Sequence, residues 1–340
     1  MKRLLLIATI AILGLSALQA QNTCGDQLKV AQRRFDDGLL EDIPQLLATC
    51  MKSGFTDEEK TNAYKLLIQT YLFSENQDKA DEVMLQFLKE FPSYAIANND
   101  PKEFVNLYST YRTEPIFKIE FKGNGQLSIP LIIEPNGVGD LKSKTATYKP
   151  TVGFGLELNY IDHLYKDFDF SVGASFIFSR LNYSSTPLDF ISLTGIYTNI
   201  YVGVPFTVRY NFKFKGFNLF ARFGVEPVYL VSSNINLTRK DNIPSRPDPI
   251  SGTEDLTSLH RKLDIRPTIA FGPTFKLWKG QLKVALELKF ATISQLPKEN
   301  KYKNQVLFEK YKFVEDNMLF SQSNLSIAYI LPIYKPKKIR

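Results

Sequence analysis

The chain has 340 residues, 44% of them hydrophobic and 23% charged, with a formal net charge of +7 at pH 7. That length leaves room for two domains, each able to bury a core of its own. Its two histidines and two cysteines fall at no metal-ligand spacing, which leaves out a metal centre and any cofactor held by one.

Met1-Lys2-Arg3 is a short positive start, Leu4 to Leu18 is almost wholly apolar, and Leu18-Gln19-Ala20 precedes Gln21. This is the layout of a secretory signal over residues 1–20. The run is too short to cross a bilayer, which takes about 20 apolar residues. Asn22-Thr23-Cys24 lacks the small residue expected before a lipidated cysteine. No later stretch is apolar for long enough to make a membrane helix, so any later span must be built from strands. An exported chain meets no nucleic acid, and its basic excess needs another counter-surface: anionic lipopolysaccharide or an acidic partner.

From 21 to 115 the apolar residues recur at helical spacing. Tyr64, Leu67 and Tyr71 fall on one face of a helix, small Ala80 admits a second helix carrying Met84 and Phe87, and Pro92 stops it. Val30, Ala31, Gly38, Leu40, Ile43, Leu47 and Cys50 sketch a weaker copy upstream. Asp57-Glu58-Glu59 supplies negative charge at a helix start, and Asn99-Asp100-Pro101 opens a last helix, Lys102 to Arg112. Cys24 and Cys50 lie in one predicted helix pair and read as a disulfide, with two buried thiols as the alternative. This part holds ten Lys or Arg against sixteen Asp or Glu, a net of −6, while residues 116–340 hold thirty against nineteen, a net of +11. Such a split marks two domains by charge alone.

The spacing of Tyr64, Leu67, Tyr71, Ala80, Met84, Phe87 and Pro92, with Phe35-Asp36-Asp37-Gly38, Tyr64-Lys65-Leu66-Leu67 and Asp100-Pro101-Lys102-Glu103-Phe104, resembles the periplasmic tetratricopeptide-like modules that precede barrels in Bacteroidetes proteins. The resemblance implies a groove for a peptide or protein; a spacer or plug is the bland alternative.

After Pro115 the period changes to two. Val152, Phe154, Leu156, Leu158 and Tyr160 alternate with Gly153, Gly155, Glu157 and Asn159, and similar runs follow. Eight strands are expected, at about 117–131, 149–160, 168–182, 197–212, 217–231, 263–277, 281–293 and 319–333. Charges fall in mid-strand on the polar side: Glu157, Arg209, Arg222, Glu226, Arg266, Lys283, Glu287 and Lys289. The apolar side carries aromatics at strand ends, including Tyr160, Phe168, Tyr210, Phe212 and Phe217. A lipid-facing band between aromatic girdles has this pattern. In lipid the sheet must close on itself, so residues 116–334 read as a transmembrane barrel. Short connections alternate with long ones (135–148, 184–196, 233–262 and 296–318). With short turns in the periplasm, the even count returns both ends there, together with a basic tail, 335–340.

Val202-Gly203-Val204-Pro205-Phe206-Thr207-Val208-Arg209-Tyr210 resembles the strand that marks the PorT-type outer-membrane barrels of Bacteroidetes. That resemblance implies the barrel fold over residues 116–334 and an association with secretion or gliding machinery.

The expected fold is thus α + β multidomain: tetratricopeptide-like all-α hairpins, then an eight-stranded antiparallel transmembrane β-barrel. The mixed signs of the inward charges favour a salt-bridged plug over a polar pathway. His163 sits beside Asp162 in an expected periplasmic turn; Ser258 and Asp255 near His260 invite a Ser-His-Asp reading, but such groupings arise by chance in polar loops. Lys301, Lys303, Lys310 and Lys312 could meet lipid phosphates. The expected role is non-enzymatic: an outer-membrane anchor for a periplasmic module that holds a periplasmic or outer-membrane protein, with lipid and lipopolysaccharide around the barrel. The competing reading is a small channel or surface-binding barrel plugged by the helical domain.

Overall fold

A computed structural model of the protein describes residues 24–136, 146–188, 190–243 and 249–339. Residues 1–20, expected as a secretory signal, and most of the proline-rich stretch 242–249 lie outside the described residues. By contacts the chain divides into two units, one running to Pro115 and resuming at Tyr334, the other Ile116–Ile333.

The first unit is helical: α1 (24–36), α2 (Ile43–Lys52), α3 (Asp57–Phe73), α4 (Gln77–Glu90) and α5 (Lys102–Tyr108). Thr56 and Glu59 cap the start of α3 reciprocally, and Asn76 caps α4 through the Lys79 amide. Gly38, at φ +78°, ends α1, a backbone state that suits glycine. A disulfide joins Cys24 to Cys50, tying the start of α1 to α2.

The helix α3 is buried on two sides. Tyr64 and Ile68 pack with Ala80, Met84, Phe87 and Phe104, and half-buried Tyr71 borders that cluster. Leu67 instead joins Ala31, Ile43, Leu47, Ala63 and Leu66 against α1 and α2. Tyr64, Leu67 and Tyr71 keep the spacing of one face, and Leu67 lies at its edge, where a second apolar stripe turns toward α1 and α2. Pro92 follows the last residues of α4 as expected.

The last helix stops at Tyr108 rather than Arg112, because the chain beyond it makes another pairing. Tyr111 bridges to Lys338, the Arg112 amide donates to Lys337 at 2.9 Å, and the Ile339 amide donates to Thr110 at 2.8 Å. The basic tail expected as a separate segment is therefore part of the helical unit. Lys338 pairs with Asp81, which also accepts the Tyr111 hydroxyl at 2.8 Å.

The second unit is a closed antiparallel barrel. Its strands are β1 (Phe117–Glu134), β2 (Thr147–Tyr165), β3 (Phe168–Leu188), β4 (Ile191–Gly203), β5 (Phe206–Phe214), β6 (Phe217–Asp241), β8 (Leu263–Leu277), β9 (Gly280–Lys289) and β10 (Asn317–Ile333), with β7 (Ile250–Asp255) a side branch on β6. All pairings are antiparallel, and β1 closes on β10 from Phe117 opposite Ile333 to Glu134 opposite Asn317. Strands β4 and β5 both pair with β3 and β6, so together they form one wall position, interrupted at Val204-Pro205. Proline has no amide hydrogen for the ladder, which breaks there. The ring thus has eight positions.

At the short-turn end, Lys215 and Gly216 sit at φ 46° and 85°, as the tight β5–β6 hairpin requires. His163, expected in a turn, lies in β2, which runs on to Tyr165. At the other end the strands outrun their expected limits. Residues 184–196, expected as a long loop, are mostly hairpin, and β6 extends to Asp241 to carry β7. In the last long connection a short helix, α6 (Gln305–Tyr311), follows a 3₁₀ turn.

Candidate functional site in the barrel lumen

Alternation along each strand sends successive side chains to opposite faces, and here the usual sorting is inverted. On β2, Leu156 is 58% exposed and its neighbour Glu157 is 6% exposed. Phe121, Phe223, Ile269, Leu286 and Leu325 stand outward on other strands, while Lys122, Arg209, Arg222, Glu226, Glu287 and Lys289 are buried within. Aromatics gather outward near the short turns: Phe168 packs on Tyr210 at 4.8 Å, Tyr210 on Phe212 at 5.7 Å, and Phe217 and Trp278 are exposed.

The inward charges form one continuous chain of alternating sign. Arg209 holds Glu120 at 2.5 Å, and Glu120 lies 3.4 Å from Arg222. Arg222 reaches Glu287 at 2.6 Å, and Glu287 pairs with Lys122 at 2.9 Å. Lys122 meets Glu157 at 2.6 Å, Glu157 meets Lys289 at 2.9 Å, and Lys289 ends the chain on Glu226 at 2.6 Å. Buried charges persist when paired and hydrogen-bonded in this way. Asn159 adds a donor to Glu120 and Ser175 one to Glu226.

Of the residues expected in the lumen, Glu157, Arg209, Arg222, Glu226, Glu287 and Lys289 meet in this chain. Arg266 is buried apart from it, paired with Asp264 at 3.1 Å and lying over the Tyr201 ring at 4.3 Å. Lys283 has no ion pair among the described residues; its ammonium sits 4.6 Å above the Phe220 ring. Sequence reasoning missed Glu120 and Lys122 on β1. Their signal was present, since Lys118, Glu120 and Lys122 alternate with Phe117, Ile119 and Phe121.

Toward the long-loop end the lumen turns apolar. Leu307, Tyr311 and Phe313, from α6 and the segment after it, pack on Tyr183, Ile191, Leu193, Tyr197, Ile235 and Leu237. Polar locks flank this cap. The His260 ring bonds Glu315 at 2.8 Å and Gln295 at 2.7 Å, and Asp316 accepts from the Asn136 amide at 2.6 Å and the Tyr148 hydroxyl at 2.7 Å. His260 thus meets neither Ser258, which is exposed, nor Asp255, which accepts from the Thr257 amide. A serine nucleophile and its base are not brought together here. Of the loop lysines, Lys301 pairs with Glu134 at 3.3 Å, Lys310 lies over Tyr311 and Lys312 over Phe308.

In the helical unit, Asp100 accepts from Lys65 at 2.7 Å, from the Tyr94 hydroxyl and from the Ala97 amide. Burial pushes its pKa up, but the Lys65, Ala97 and Tyr94 donors together outweigh that and hold the carboxyl below its ordinary range. Asp81 is likewise pushed up by burial and held below its ordinary value by Lys338, Tyr111 and Gln77.

No family model and no curated protein matches the chain. Among solved structures it is similar to Neisserial surface protein A, at 8% identity over 64% of this chain and 97% of that one, with a TM-score of 0.30. It is similar to the attachment invasion locus protein Ail of Yersinia pestis at 12% identity over 63% and 99%, with a TM-score of 0.28. The outer membrane protein OprG of Pseudomonas aeruginosa gives 8% identity over 64% and 98%, with a TM-score of 0.31. The barrel described here rests on its own closed strand ladder and inside-out polarity.

Proposed function

We propose that the chain is a non-enzymatic outer-membrane protein whose barrel sits in the bilayer and anchors a periplasmic module that holds another protein. The observation that carries this reading is the sorting of side chains: aliphatic and aromatic groups outward, a paired charge network inward. In water that arrangement would forfeit the burial of a whole apolar face, at about 25 cal/mol per Å². Against acyl chains it is the stable one, and a closed ring leaves no unpaired strand edge.

The anchor reading is favoured over a channel because the lumen is filled twice, by the charge chain and by the apolar cap. In planar bilayers the whole protein is expected to give no steady conductance.

Around the barrel the partner is lipid, and at its outer rim lipopolysaccharide. Above the stacked Phe154 and Phe178 rings, 5.1 Å apart, the outer wall becomes polar and presents exposed Lys149 and Arg180. Neither has a carboxylate partner among the described residues, and phosphates of an anionic lipid fit them.

The helical unit is proposed as tetratricopeptide-like, supported by stacked hairpins with small Ala80 at the α3–α4 crossing. Its partner class, an accessory of a secretion, gliding or outer-membrane transport complex, follows from the PorT-type resemblance. The test is crosslinking in intact cells. Capture of a protein that depends on residues 24–111 is expected, and no such dependence would end the proposal. Fractionation tests the anchor separately: the chain should stay with the membrane through an alkaline carbonate wash.

A further inference from the structure

We propose that the short-turn mouth of the barrel binds a small phosphate- or carboxylate-bearing solute, anchored by the ammonium of Lys283. This goes beyond the anchoring role and does not depend on it. The mouth holds a cavity of about 640 Å³ whose wall includes Lys118, Asp169, Asn211, Asn218, Thr274 and Gln281. Lys283 stands one inward position deeper than Gln281 on β9 and directly opposite Thr274 on β8. It is 3% exposed.

Each other buried cation of the lumen named above has a carboxylate within ion-pair distance: Lys122, Arg209, Arg222, Arg266 and Lys289. Lys283 has none, and no hydrogen bond among the described residues; its close neighbour is the face of Phe220, shared with Arg209 at 5.6 Å. Two carboxylates line the mouth, Asp167 and Asp169; neither is within ion-pair distance of Lys283, and Asp169 is held by Lys118 at 3.2 Å and Asn211 at 2.9 Å. A buried cation left unpaired is costly. The cavity begins at Thr274, directly opposite Lys283, and an anion entering it from the mouth would hold the lysine in its charged form. The side amides of Asn218 and Gln281 and the Thr274 hydroxyl on the wall can bond the rest of a small polar molecule, and the volume lies in the range of ligand sites.

The probes are inorganic phosphate and acetate, applied to the full chain in detergent micelles at constant ionic strength with chloride as the reference. Both should raise the thermal midpoint of the barrel saturably. In Lys283→Met the half-saturating concentration should rise at least about tenfold, a loss of about 1.4 kcal/mol. The variant should be more stable than the parent in chloride, because it removes an uncompensated charge. Equilibrium dialysis of the parent chain against labelled phosphate reads the same site without any variant and should saturate. No saturable response in the parent, or a response unchanged in Lys283→Met, overturns the proposal. A response to phosphate but not acetate supports it and identifies the phosphate-bearing source; the reverse supports it and identifies a carboxylate.

Discussion

Glu287 touches Lys122, Arg222 and Lys289, so it is the carboxylate on which the greatest number of buried cations in the lumen depend. Glu287→Gln keeps its shape and leaves those cations short of one negative charge. Breaking a buried pair from one side costs about 3–5 kcal/mol, and the urea midpoint of the folded barrel in detergent should fall accordingly. Changing Phe223 to Leu keeps an apolar group on the outer wall and should leave that midpoint nearly unmoved. Gly203 is a second sensitive point. A Cβ there would stand 2.7 Å from the Ser175 hydroxyl and 3.1 Å from Glu226. Gly203→Val should therefore displace Glu226 from Lys289 and destabilise the barrel in the same assay. At this scale most inward charges were legible because each sits between apolar neighbours, as Glu157 does between Leu156 and Leu158. Their partners were not, since pairs such as Lys122 with Glu287 are 165 residues apart and only closure of the sheet brings them together.

Among the elements, the helices answer to pH and to reductant in different places. Asp100 and Asp81 have folded pKa values below their unfolded ones, near about 3.9. Their contribution is fully present above that value and is lost as pH falls through the lower folded values. Hydrogen exchange in α4 and α5 should thus accelerate below about pH 4, and Asp100→Asn should weaken that dependence. Reducing the Cys24–Cys50 bridge should loosen α1 and α2 by about 3–4 kcal/mol on the chain-entropy model, with little change in α5. The strands carry the lesson about legibility. Their short-turn ends were readable, but the opposite ends were cut too early. Along β3 the outward residues are apolar through Phe176 and Phe178, then become Arg180, Asn182 and Ser184, while inward Leu181 and Tyr183 take over as the apolar set. The same exchange occurs on β4 and β6. The strand does not end there; its surroundings change, and the apolar phase shifts by one residue. An alternation count takes that shift for a loop.

For the whole molecule, the closed ring predicts behaviour on a gel. Unboiled chain should migrate apart from boiled chain, because a sealed ladder resists detergent until heated, and coincident bands would remove the barrel from consideration. The polarity exchange on β3, β4 and β6 divides the barrel into a zone with apolar walls and a zone with polar walls and an apolar centre. Removing α6 and its flanks should strip the centre of the second zone and leave the charge chain of the first in place. Truncation of residues 296–313 is accordingly expected to lower the thermal midpoint while the boiled and unboiled bands stay distinct.

The pairing of Tyr111 with Lys338 and of Arg112 with Lys337 has a consequence for biogenesis. Those partners lie on either side of the entire barrel in the chain, so the ribosome makes the second set only after β10. The helical unit can begin to fold early but gains its last edge contact late, after every wall segment has been synthesised.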